Sequence, residues 1–271
     1  MKKIIVLLFL NFNLLIGQVI ISPYIVYTDS KHRFGSFLVQ NESNEPYEIT
    51  VSFVFGYPVS DSTGNISMKY FKEAPDSLPS VAQWVKAFPR KFVLNPKERQ
   101  TIRLTVRPDK TLEPGTYWSR IVTSSTKKSV PVDTVKEGIT AQLKFVLNQV
   151  TTLFYRVDSA YTGAVVDTVF YFADSSNINI LSKVVRIGNS PFLGNLEVEV
   201  KDSNDSTLIK RTEYLPLYFE LVKKISIPKS ELKKGKYTVV LKPVSTEKQD
   251  IPESKLKIIK PEAKSIAFEV K

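Results

Sequence analysis

The single histidine of this 271-residue chain, His32, stands between Lys31 and Arg33, and the chain has no cysteine. Without thiols there are no disulfides, no thiolate metal centres, no iron–sulfur clusters and no cysteine nucleophile. One imidazole cannot build a multi-histidine zinc site. A Ser-His-Asp triad would have to use His32, whose two cationic neighbours repel a metal and mark a solvated turn. Asp202, Asp205 and Glu213 fall near turns, but no acidic pair has catalytic or calcium-loop spacing. A glycine-rich phosphate loop and a G-x-S-x-G elbow are both missing. The sequence therefore predicts no enzyme, no metal and no cofactor.

The formal charge of +11 is spread along the chain. The lysine-rich stretches at Lys223-Lys224, Lys233 to Lys236 and Lys255 to Lys264 alternate with Glu or Pro and carry few aromatics, so they read as solvated faces. No nucleic-acid partner is expected. Trp84 and Trp118 read as core or inter-strand aromatics rather than a carbohydrate platform.

Residues 1–17 read as a secretory signal peptide: Met1-Lys2-Lys3 is a positive start, Ile4 to Leu10 is apolar, and Phe12 to Ile16 prolongs the run. Cleavage is expected after Gly17. The run is shorter than the roughly 20 apolar residues a membrane span needs, and no later segment is apolar for long enough. Loss of Lys2 and Lys3 takes +11 to +9. The mature protein is expected to be exported, and periplasmic in a two-membrane bacterium.

Beyond Gly17 the apolar pattern has period two, with turn residues at short intervals, as in an all-β protein. Val19 to Thr28 reads as an edge strand carrying Pro23. Strands follow at Phe34 to Gln40, Tyr47 to Phe55, Lys91 to Leu94, Thr101 to Val106, Tyr117 to Thr123 and Ile139 to Arg156. Residues 57–80 read as a long loop. A second block has strands at Ala164 to Phe172, Ile178 to Ile187, Leu196 to Lys201, Leu208 to Arg211, Tyr218 to Ile227, Tyr237 to Leu241 and Ser265 to Val270, with 243–264 a solvated loop. The expectation is two tandem β-sandwich domains, 18–156 and 157–271.

The order of elements in the first block carries a resemblance. Pro89 to Pro96 followed by Gln100 to Leu104, the turn Leu112-Glu113-Pro114-Gly115-Thr116-Tyr117, and Leu153-Phe154-Tyr155-Arg156 together resemble PapD-like periplasmic pilus-assembly chaperones. The similarity covers most of 19–156; the second block fits that family's second immunoglobulin-like domain loosely. The resemblance implies a PapD-like immunoglobulin-fold sandwich followed by a second one. It also implies a function: stabilising an exported pilus or surface subunit, pilin- or adhesin-like, by lending it a strand.

Strand addition needs an available backbone edge and a stripe of alternating apolar side chains. Leu143, Phe145 and Leu147 have that spacing, at positions matching the family's donor strand. The same pattern also suits a strand facing its own core, in which case the protein would be a non-catalytic structural or adhesive module of a cell-envelope assembly. Self-association through the strand is a further consequence of an open edge. The family's two basic carboxylate anchors are replaced here by Tyr24 and Thr152, so charge-assisted carboxylate capture is not expected from those positions. Arg156 matches an arginine that the family uses structurally between its domains.

Overall fold

The computed structural model describes residues 19–128, 145–246 and 256–270. The signal segment, Leu143 and the 139–144 part of the expected long strand lie outside those residues.

The first ten strands are β1 (Val19–Ser22), β2 (Ile25–Asp29), β3 (Phe34–Asn41), β4 (Tyr47–Ser60), β5 (Ile66–Phe71), β6 (Val85–Phe88), β7 (Lys91–Leu94), β8 (Arg99–Val106), β9 (Gly115–Lys127) and β10 (Val146–Val157). They make two sheets, ordered β1-β3-β8-β6 and β2-β10-β9-β4-β5, with β7 beside the start of β4. The remainder are β11 (Ala160–Ala173), β12 (Asn177–Gly188), β13 (Phe192–Lys201), β14 (Thr207–Leu217), β15 (Glu220–Pro228), β16 (Gly235–Ser245), β17 (Leu256–Ile258) and β18 (Lys264–Val270). They form a second pair of sheets, β15-β12-β11-β17 and β14-β13-β16-β18. The protein is all-β, two sandwiches in tandem. No helix among the described residues is long and apolar enough to cross a membrane.

Period-two patterning explains each core. In the first sandwich Val39, Ile49, Val51, Ile102, Leu104, Ile121 and Leu153 are shielded from solvent. Side chains of this size each contribute about 1.5–3 kcal/mol when fully buried. In the second, Ile180, Val184, Leu196, Val200, Leu215, Ile227, Val239 and Leu241 do the same.

Three expectations change in detail. Val19 to Thr28 is not one edge strand. It divides at Pro23, β1 pairing with β3 in one sheet and β2 with β10 in the other, because proline supplies no N–H to continue a ladder. Residues 57–80 are not simply loop: β4 runs on to Ser60 and pairs with β5 as a hairpin. The pairing of β4 with β9 stops at Val54, so the hairpin projects beyond the first sandwich and lacks the core alternation that marks a strand in sequence. Within 243–264, β17 pairs in parallel with the start of β11.

The projecting hairpin lies against the second sandwich. Val222 N–H donates to Ser60 Oγ at 2.6 Å, and the Tyr57 ring meets Phe219 edge-on at 4.8 Å. At the tip Gly64 has φ +87°, and a Cβ there would lie 2.7 Å from Lys224 Cβ and 2.8 Å from its backbone nitrogen. Both the left-handed backbone and the close approach require glycine. Gly64→Val is therefore expected to lower stability by about 2 kcal/mol, read as a reduced urea midpoint with an unchanged slope.

Candidate functional site

The sequence points to the strand that closes the first sandwich. β10 pairs antiparallel with β9 along its whole length, from Val146 opposite Thr126 to Val157 opposite Gly115. Its other side is paired only from Thr152 to Arg156, against Ile25 to Asp29 of β2. Alongside Val146 to Thr151 there is no strand among the described residues. The reason is the turn-away at Pro23, which sends the preceding residues into the opposite sheet.

Hydrogen-bond direction follows from one contact. Thr152 N–H donates to the Tyr24 carbonyl at 3.0 Å, on the side away from β9. Backbone groups alternate along a strand, so the N–H and C=O groups of Val150, Asn148 and Val146 point to that same side, where the ladder stops. Among the described residues this is an unpaired strand edge, the structural requirement for pairing with another chain.

The side chains alternate as well. Leu153 and Tyr155 enter the core of the first sandwich. Leu147, on the same face of β10, is 52 % exposed, and Phe145, immediately before the strand, is 81 % exposed. Val146 and Val150 are exposed on the other face. Among the described residues, β10 is thus covered from Thr151 onward, while Val146, Leu147, Asn148 and Val150 are exposed.

Tyr24 is exposed at the crossing between β1 and β2. Thr152 is buried, and its Oγ1 accepts a hydrogen bond from Arg120 Nη1 at 2.5 Å. Arg120 is the cross-strand neighbour of Thr152 on β9. Its Nε donates to the Gly56 carbonyl at 3.0 Å, and its guanidinium lies 4.7 Å from the centre of the Tyr218 ring. Burial between the sandwiches pushes the Tyr218 phenol up, with Arg120 opposing that shift. Sequence reasoning missed Arg120: by alternation it shares a face with Trp118 and Val122, outside the first core, where Tyr218 of the second sandwich lies over it. No ion pair joins Arg120 to a carboxylate among the described residues.

Arg156 is buried and donates from Nε to Thr116 Oγ1 at 3.3 Å. Ser190 Oγ donates to the same hydroxyl at 2.8 Å, and Thr116 N–H donates to the Asn189 carbonyl at 2.9 Å. Arg156 therefore belongs to a polar seam between the sandwiches. His32 lies in a turn, where its N–H donates to Asp29 Oδ1 at 2.6 Å. Trp118 is buried among Phe55, Phe154, Leu193 and Tyr218. Among the described residues no three His, Asp or Glu side chains gather as a cation site.

No protein-family model matches the sequence, and no curated protein does either. Solved structures of similar fold include the YadV chaperone, at 14% identity and a TM-score of 0.45, covering 84% of this chain and 94% of that one. The CupB2 chaperone of Pseudomonas aeruginosa matches at 10% identity and 0.43, covering 83% and 93%. A chaperone–tip adhesion subunit complex, CsuC–CsuE of Acinetobacter baumannii, matches at 10% identity and 0.44, covering 91% and 97%.

Proposed function

We propose that the mature protein is a periplasmic, non-catalytic chaperone-like protein that binds an exported pilus or surface subunit by adding β10 to it. The observation carrying this reading is the combination at one place of an unpaired backbone edge, Val146 to Thr151, and exposed apolar residues, Phe145 and Leu147. A partner lacking a strand gains backbone hydrogen bonds from the edge and apolar plugs from the stripe. Leu143, two residues upstream of Phe145, supplies a third plug by sequence spacing. A purely structural module would cover this stripe with its own sandwich, and at Phe145 and Leu147 the first sandwich does not. The covered position at Thr152 and the exposed Tyr24 leave the grip to the edge and stripe rather than to a cation pair.

Hydrogen–deuterium exchange of the isolated protein, against the protein co-purified from the cell envelope with its partner, tests this. The amides of Val146, Asn148 and Val150 are expected to exchange quickly alone and about a hundredfold more slowly in the complex. Equal protection of these amides and of their β9 neighbours in the isolated monomer would show the edge to be closed and would overturn the proposal.

A further inference from the structure

The apolar stripe of β10 is interrupted. Reading along one face, Phe145 and Leu147 are followed by Gln149 and Thr151 before Leu153 and Tyr155 resume the apolar pattern. Thr123 is the cross-strand neighbour of Gln149 on β9. Thr123 is fully buried, Thr151 is 5 % exposed, and Gln149 is partly covered. Thr123 Oγ1, Thr151 Oγ1 and Gln149 Oε1 are all buried without a hydrogen-bond partner among the described residues. Gln149 is held by its other end, Nε2 donating to the Val19 carbonyl at 3.1 Å.

Orphaned polar atoms in a sandwich interior lose hydration without return. Valine would fill the space of either threonine with no such loss. Only one other buried side-chain atom, Trp84 Nε1, is orphaned among the described residues, so the orphans are concentrated behind the open edge. A local rule broken at several adjoining positions is a signature of function.

We propose that Gln149 and Thr151 set the register of the strand that pairs with β10, with Thr123 behind them on β9. This rests on the strand-addition reading and states the chemistry of the partner strand. A strand laid along Val146 to Thr151 places its side chains beside those of β10 on each face. In one register a hydroxyl or amide side chain falls beside Gln149 and Thr151 and supplies the missing hydrogen bonds, while apolar side chains fall beside Leu147 and Phe145. A slip of one residue turns every side chain to the opposite face. A slip of two sets an apolar side chain against the orphaned oxygens and leaves a polar one against Leu147. The partner strand accordingly carries one hydrogen-bonding residue followed at alternate positions by apolar ones.

The chain has no cysteine, so register can be read by disulfide trapping. Asn148→Cys is introduced on the open segment. The probes are short synthetic peptides of alternating valines bearing a single asparagine on one face, each with one cysteine at a different position. With Asn148→Cys alone, one cysteine position is expected to cross-link at least about tenfold better than those two residues away. Adding Gln149→Leu and Thr151→Val is expected to bring those yields within about threefold, with no loss of thermal stability. Thr151→Val alone, which preserves volume, gives an intermediate spread and serves if the combined variant misfolds. A single preferred register retained in the valine variants overturns this inference while leaving strand addition intact. Cross-linking to no peptide in either background overturns strand addition, and this inference with it.

Discussion

Replacing Trp118 by alanine is expected to cost about 4 kcal/mol of stability, the largest loss from any single side chain at the junction of the two sandwiches. Trp118 is fully buried. Its ring stacks on Phe55 at 5.2 Å and meets Tyr218 edge-on at 4.8 Å, and Tyr57 and Phe219 also lie against it. Its Nε1 donates to the Gly56 carbonyl at 3.1 Å, which also accepts from Arg120 Nε. That carbonyl keeps a donor when the indole is removed, so the loss is one of packing and cavity formation rather than of an unmet acceptor. Because the cluster joins residues of both sandwiches, its loss is also expected to separate their unfolding. Urea denaturation followed by far-ultraviolet circular dichroism should show one transition in the parent and two in Trp118→Ala. A midpoint change equivalent to less than about 1 kcal/mol would mean that the surrounding rings do not depend on it.

The largest functional effect is expected from Phe145→Glu combined with Leu147→Glu. Both side chains are mostly exposed, so the folded state loses little, within about 0.5 kcal/mol. A complex that buries them as plugs loses about 1.5–3 kcal/mol for each and must also desolvate two unpaired carboxylates. At about 1.4 kcal/mol per tenfold, capture of the exported subunit should fall at least about a hundredfold. The check is paired: thermal unfolding of the variant, and recovery of partner with tagged protein from the envelope. Unchanged recovery would remove these side chains from the interface. A collapse in thermal stability would place them in the protein's own core.

Strand assignment was largely legible in the chain because a half-buried strand writes its orientation as period-two alternation. Tyr47, Ile49 and Val51 show this, as do Ile102 and Leu104. Legibility failed where the covering surface comes from elsewhere. The β4–β5 hairpin meets the second sandwich through Tyr57 and Ser60 while Ile66 and Tyr70 stay exposed, so no core alternation separates it in sequence from a polar loop. Phe55 continues the alternation of Tyr47 to Phe53 but leaves the first core for the junction, a change of partner with no local signature. Arg120 is the sharpest case. Its alternation puts it on the outer face of its sheet, where an arginine ordinarily meets water, and it is buried there beneath Tyr218 of the second sandwich, with its Nε on the Gly56 carbonyl of β4.

The amino-acid sequence by itself determined the all-β character, the absence of cysteine with a single histidine, and the greasy alternation through Leu143, Phe145 and Leu147, since these are properties of residue type and spacing. It could not decide whether that alternation faces inward or outward, because a core strand and a donor strand have the same period. The tertiary structure leaves Phe145 and Leu147 exposed: Pro23 diverts the chain into the other sheet, β2 begins only opposite Thr152, and among the described residues no strand lies beside the start of β10. Exposure of a strand edge is a statement about what lies beside it, which no local pattern encodes.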